Sequence, residues 1–333
     1  MVAGTYLAQL DVFSRRRDIV PTAPEPGSPT PGFQSNDDTT TLVGGQYQTG
    51  GDSPAASVAP SWRLTLKRPA ALTIAGSDSC GGAGIQADLK TFAALGVYGA
   101  SALTSVTVQN TSGVRAAFNM PPEIVAGQID AVMDDLPIAA AKTGMLPTAD
   151  IMRAVAAGLS DREVPRLVVD PVMIATSGSR LMDEEATGVL IDAVLPLAAV
   201  VTPNIEEAAV LAGFDVDGPE GMVAAARAIV LLGARAVLVK GGHLTGEATD
   251  ILFDGTDVRT FSSVRIDGGR LHGTGCTLSA AIAAGLARGL SLCDAVGGAK
   301  AFVTDAIRGA EKARGASALL DHIGAGHARG ERR

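Results

Sequence analysis

Between about residue 69 and residue 308, short apolar runs alternate with longer segments whose apolar positions recur every three or four residues. The runs 71–75, 102–108, 139–142, 167–170, 200–202 and 236–240 predict strands. Segments 85–95, 121–136, 149–159, 184–195, 206–212 and 222–232 predict helices, the second with proline in its first turn. Residues 250–261 read as a hairpin through Asp254-Gly255, and two alanine-rich helices are expected near 275–288 and 292–308. Strands that are apolar throughout belong to sheets covered on both faces. The expected class is therefore α/β, with a mostly parallel central sheet and helices on either side. Ligands of such sheets gather beyond the carboxyl ends of the strands, and the polar motifs of this chain fall at those ends.

Residues 1–66 break the pattern. Seven of the 17 prolines lie among the first sixty residues, mixed with Ser, Thr, Gly and Asp and without sustained periodicity. A disordered or loosely structured extension is expected there, then a catalytic domain over 67–318 and an irregular tail over 319–333. Met1 is the only methionine before Met120, which leaves a start at a codon such as that of Val58 as an alternative; intact mass of native protein decides it.

The net charge of −8 disfavours nucleic acid as a partner. No apolar run approaches the roughly 18 residues of a membrane span. The three cysteines and four histidines are scattered, with no paired spacing that announces a disulfide framework or structural zinc site, so a reducing, cytoplasmic setting is expected.

Candidate chemistry begins with His272-Gly273-Thr274-Gly275-Cys276-Thr277, at the start of an alanine-rich helix. The free N–H groups of a helix start favour anions, and glycines let a phosphate approach them. A cysteine there is expected to favour its thiolate; a buried small-residue helix start is the alternative. The first strand runs from Gly76 into a glycine-rich loop containing Gly82-x-Gly84-x-x-Ala87. A dinucleotide fingerprint is disfavoured, because an extra loop follows the strand and the next strand ends in Gln109-Asn110, not an acidic residue. Lys90-Thr91 lacks the glycines of a Walker loop.

The Gln109 amide could pair with an aminopyrimidine or pyridine edge, or be an ordinary strand-end amide. Asp88 on the first helix could anchor the loop or touch a ligand. Asp170-Pro171 fixes a carboxylate at a strand end. Asn204 and Glu207 stand three apart and suit either Mg²⁺ or a capping box. Lys240, before Gly241-Gly242-His243, suits a phosphate or a solvent-directed lysine.

Together, the run 71–91, Val108-Gln109-Asn110-Thr111, Lys142-Thr143-Gly144-Met145, Asp170-Pro171-Val172-Met173, Thr202-Pro203-Asn204, Lys240-Gly241-Gly242-His243 and the 272–277 motif resemble, in order, the hydroxymethylpyrimidine/phosphomethylpyrimidine kinases of the ribokinase-like superfamily. The resemblance spans roughly 70–310. It implies ATP with Mg²⁺ and two successive phosphorylations of 4-amino-5-hydroxymethyl-2-methylpyrimidine for thiamine diphosphate synthesis. It further implies Cys276 as base, with Gly273, Gly275 and Lys240 in the catalytic set. Gln109, Asp88 and Gly76 are expected at the pyrimidine, and Lys240, Thr274, Gly275 and Asn204 at phosphate. Asp170, Asn204 and Glu207 are expected at the metal, and the assembly is expected to be a homodimer. The rival readings are a pyridoxal kinase of vitamin B6 salvage and a non-catalytic pyrimidine-binding sensor.

Overall fold

The computed structural model describes residues 66–162, 164, 166–173, 184–242, 246–266, 271–312 and 317–330, with the backbone of 40–43 and 46–49. The chain divides into two units, Met1–Trp62 and Arg63–Arg333. In the first, β1 (Thr40–Val43) and β2 (Gln46–Thr49) pair antiparallel. The rest of the extension expected to be disordered or loosely structured, up to residue 65, lies outside the described residues, as do His243 and the side chain of Glu184.

The second unit runs β3 (Ala70–Ser77), α1 (Gly84–Ala94), β4 (Tyr98–Asn110), β5 (Gly113–Asn119), α2 (Pro122–Asp135), β6 (Ile138–Thr143), α3 (Ala149–Ser160), β7 (Leu167–Val169) and α4 (Glu184–Val189). After the turns Leu190–Val194 and Leu195–Leu197 come β8 (Ala198–Val201), α5 (Ile205–Ala212), α6 (Gly218–Val230), β9 (Val237–Gly241), β10 (Ala248–Phe253) and β11 (Val258–Ser263). The unit closes with β12 (Leu271–His272), α7 (Thr274–Ala287), α8 (Leu292–Arg308), β13 (Glu311–Lys312), β14 (Ala318–Leu319) and α9 (His322–Gly330).

Nine strands form one sheet in the order β11-β10-β9-β8-β7-β6-β3-β4-β5. The six central strands are parallel, and antiparallel strands close both edges. Side chains alternate across this sheet with period two. Leu72, Ile74, Leu167, Val169, Val237 and Val239 enter the core beneath α2, α3, α5 and α6. Ala71, Val168, Val200 and Leu238 enter the opposite core beneath α1, α7 and α8. Nearly every residue of α7 is buried, as its apolar circumference requires. Gly285 brings α8 close: a Cβ there would stand 2.9 Å from that of Ala295. From β3 the chain steps to β4 on one side, and it later returns to β6 on the other. The crevice at this reversal opens at the carboxyl ends of β3 and β6.

One expectation is corrected, and one strand was not expected. The tail expected to be irregular over 319–333 contains the helix α9. Its glycines give weak intrinsic helicity, so tertiary contacts decide. Asp321 accepts the Gly324 N–H at 2.8 Å, His322 is buried against Thr277, and Gly326 lies so near the Ala94 carbonyl that a Cβ would reach 2.9 Å from it. Strand β5 was not foreseen, because its largely exposed Gly-Val-Arg-Ala-Ala-Phe-Asn sequence shows neither a buried run nor clean alternation.

Candidate active site

The loop after β3 is organised by one carboxylate. Asp78 accepts backbone N–H bonds from Cys80, Gly82 and Ala83 at 3.0, 3.0 and 2.8 Å. The Cys80 thiol donates to it at 3.2 Å, and His272 Nε2 lies 2.9 Å away. Burial opposes its ionisation, but these hydrogen bonds, led by His272, outweigh it and hold the carboxyl at about 2. Because ionised Asp78 only accepts, the proton on His272 Nε2 points to it. Gln109 meets the same nitrogen at 3.0 Å, and its amide matches a donor there with the carbonyl oxygen turned toward the ring.

The same loop locks onto the start of α7. Gly273 caps α7 at φ +82°, where a side chain is strained, and a Cβ there would collide with the Gly82 carbonyl. Among the described residues no side chain caps this helix, so the first-turn N–H groups at Thr274, Gly275 and Cys276 are left without an acceptor from a cap. Thr277 is held from behind: its hydroxyl meets His322 Nε2 at 3.0 Å. Burial, then the nearby Lys90, pushes the His322 ring down to about 4, so it is neutral at pH 7.

At the ends of β7, β8 and β9 three charged groups meet. Lys240 Nζ lies 2.9 Å from Asp170 Oδ1 and 3.9 Å from Glu207 Oε2. Asp170 also accepts from Thr202 and Ser279, each at 3.2 Å. Burial works against the Asp170 charge, but Lys240 and then Lys142 hold its carboxyl below the usual range. Burial, with Asp170 nearby, pushes Glu207 up to about 6 despite Lys240. A Cβ on Gly275 would stand 3.3 Å from Lys240 Nζ, which places this ammonium against the first turn of α7. Asn204 and Glu207 form a reciprocal capping box on α5, each closing a 2.8 Å bond to the other's backbone. The cap reading of this pair is thus realised.

Deeper in the crevice, Lys142 and Asp88 form an ion pair of 2.8 Å with both side chains fully buried. Thr73 donates to the same Asp88 oxygen at 2.6 Å. Burial disfavours the Lys142 charge, but Asp88, Cys276 and Asp170 outweigh it and hold the ammonium above its ordinary value. Asp88 therefore anchors the crevice floor, while its other oxygen, Oδ1, is buried with no hydrogen-bond partner among the described residues. A Cβ on Gly76 would fall on Met145 Cε, the far end of a flexible side chain that can shift, so packing alone does not require glycine there.

Cys276 departs from expectation. Its helix-start position predicts an easily formed thiolate. The residue keeps some accessible surface but sits deep in the protein, and burial pushes its thiol up to about 11. Lys142 and the Gly84 N–H pull it down, but Asp88 and Asp170 add to the rise. The thiol is protonated at pH 7 in the free protein.

The structure thus gathers Gly273, Thr274, Gly275, Cys276, Lys240, Asp170 and Glu207 around the start of α7, and sets Gln109 beside His272. Asp78, Lys142 and His272 carried no individual role in the sequence reading. A lysine closing the apolar run Ala139-Ala140-Ala141 was the available signal for Lys142.

The phosphomethylpyrimidine kinase family profile matches residues 78–319, from the loop carboxylate to β14. The chain belongs to the phosphomethylpyrimidine kinase family. A hydroxymethylpyrimidine/phosphomethylpyrimidine kinase of Rhizobium meliloti is 55% identical over 244 residues, covering 73% of this chain and 91% of that protein. The crystal structure of a phosphomethylpyrimidine kinase from Clostridium difficile superposes with a TM-score of 0.65 at 43% identity, over 72% of this chain and 100% of that one. An ADP complex of Bacillus subtilis pyridoxal kinase superposes with a TM-score of 0.73 at 38% identity, over 77% and 98%. The ribokinase-like α/β fold expected from the sequence is the fold observed. Among the described residues no helix is long and apolar enough to cross a membrane.

Proposed function

We propose that this kinase uses ATP to phosphorylate the hydroxymethyl oxygen of 4-amino-5-hydroxymethyl-2-methylpyrimidine, and then the phosphate so formed, supplying the diphosphate for thiamine synthesis. The observation that carries the reading is the uncapped start of α7 with Lys240 against its first turn and Cys276 within it. Phosphoryl transfer asks a protein mainly for positioning and for compensation of charge. The backbone N–H groups from Gly273 to Cys276 receive the oxygens of the transferred group, and Lys240 exchanges Asp170 for phosphate. Cys276 accepts the proton of the attacking hydroxymethyl group. The Gln109 amide addresses the ring, while Asp88, fully buried against Lys142, keeps its anchoring role.

The donor set fits hydrated Mg²⁺. Among the described residues Glu207 Oε1 meets a backbone N–H at 3.5 Å and Asp170 Oδ2 accepts one bond, so both can take the waters of an ion. Asn204 Oδ1 is engaged in its cap, which makes it the weakest of the three expected metal residues. When bound, the ion supplies neutralisation of phosphate charge.

The second reading, pyridoxal phosphorylation, is favoured by the higher TM-score of the pyridoxal kinase. ATP-dependent turnover of the pyrimidine and of pyridoxal in parallel, with mono- and diphosphate resolved by mass, separates the two. Pyrimidine diphosphate with slow pyridoxal turnover supports the first reading, and the reverse pattern overturns it. A homodimer is the expectation from family resemblance, and a cytoplasmic location the expectation from the scattered cysteines and histidines; light scattering of the full chain tests the former, and a monomeric mass would remove it.

A further inference from the structure

The scattered cysteines and histidines do not announce a metal site, yet the fold brings one of each together. Asp78, Cys80 and His272 each offer one donor atom, and the three atoms lie within 4.8 Å of one another. Asp78 Oδ2 stands 2.9 Å from His272 Nε2 and 3.2 Å from Cys80 Sγ. A tetrahedral zinc ion, with bonds of about 2.0–2.3 Å to N, O and S, separates neighbouring donors by roughly 3.3–3.6 Å. These two edges are within a few tenths of an ångström of that spacing. Asp78 is 2% exposed and ionised, and among the described residues no lysine or arginine forms an ion pair with it. Its charge is met by hydrogen bonds from three backbone N–H groups, the Cys80 thiol and His272, two of which come from the other donors of the cluster. The phosphoryl-transfer chemistry uses none of the three side chains.

We propose that Asp78, Cys80 and His272 form a three-donor site for a thiophilic divalent cation of the zinc type. Its fourth position is left to water, bordered by Gln109. On binding, Cys80 releases its S–H proton to solvent and His272 binds through Nε2 with its proton on Nδ1. No electrons are exchanged. The Gly82 and Ala83 N–H groups continue to hold Asp78 from the second layer. A thiolate-containing set selects against the oxygen-seeking Mg²⁺, so this site is chemically separate from the one near Glu207. The ion would tie the β3–α1 loop to the approach to α7.

The test uses Co²⁺ as a spectroscopic stand-in on the full chain after dialysis against chelator. A thiolate-to-cobalt charge-transfer band should saturate at one equivalent and bleach on adding Zn²⁺. It should persist in Cys276→Ser and Cys293→Ser, disappear in Cys80→Ser, and need at least about tenfold more cobalt in His272→Gln. Absence of the band in the wild type, or its survival in Cys80→Ser, overturns the proposal. Should Cys80→Ser fail to fold, wild-type protein still decides. One equivalent of Zn²⁺ must protect Cys80 from iodoacetamide, as read by peptide mass, and unprotected Cys80 overturns the site. Neither readout involves turnover, so failure here is distinct from failure of the kinase reading.

Discussion

The height of the Cys276 thiol divides the two phosphorylations by pH. At about 11, only about one site in ten thousand carries a thiolate at pH 7, and about one in a hundred at pH 9. A base is active when deprotonated, so a raised value places the gain on the alkaline side. For the first step kcat/KM reports the free enzyme, and it should rise about tenfold per pH unit, roughly 100-fold from pH 7 to 9. In the second step the acceptor is a phosphate with a pKa near 6, already ionised across this range, so its profile should be nearly flat. Glu207, at about 6, titrates below the window, and Lys142 is held above it. The assay is mass-resolved initial rates from pH 7 to 9, with each step started from its own substrate. Cys276→Ala should remove the slope of the first step while sparing most of the second. A flat first step, or equal slopes in both, would refute Cys276 as proton acceptor and leave it as part of the anion site.

Three further outcomes follow from the same geometry. Lys142→Met leaves Asp88 buried and uncompensated and should destabilise the fold by about 3–5 kcal/mol in urea titration, with partial recovery in Lys142→Met/Asp88→Asn; a loss under about 1 kcal/mol would mean that Asp88 is neutral without its partner. Gly273→Ala combines backbone strain of about 1–3 kcal/mol with the collision at Gly82. It should raise the KM for ATP, and unchanged nucleotide kinetics would detach the start of α7 from the phosphate. Gln109→Leu should raise the KM for the pyrimidine and leave that for ATP unchanged, whereas an unaltered pyrimidine KM removes Gln109 from the ring site.

The layers were legible in the chain because buried parallel strands leave continuous apolar runs, as at residues 71–75 and 236–240. The carboxyl-end motifs were legible for the related reason that polar residues interrupt those runs only where the strands stop. What stayed hidden depends on contacts between distant segments. Asp78 reads as one of several polar loop residues until the fold delivers His272, 194 residues away. The α9 helix has little apolar period of its own and depends on the cleft between α1 and α8, although the Asp321 to Gly324 spacing carried a capping signal. The Cys276 thiol misled for an electrostatic reason. A helix start favours the anion, but the depth of the site and two carboxylates act the other way.

The backbone contact between Gly82 and Gly273 has a consequence for how the protein comes into being. One half of the anion site leaves the ribosome early and the other near the end of synthesis, and neither half has an independent surface on which to wait. The seat for phosphate is therefore among the last features to exist. A nick that let the two segments drift apart would erase it while leaving most of the sheet intact, so exposure to proteases can silence this kinase well before it unfolds it.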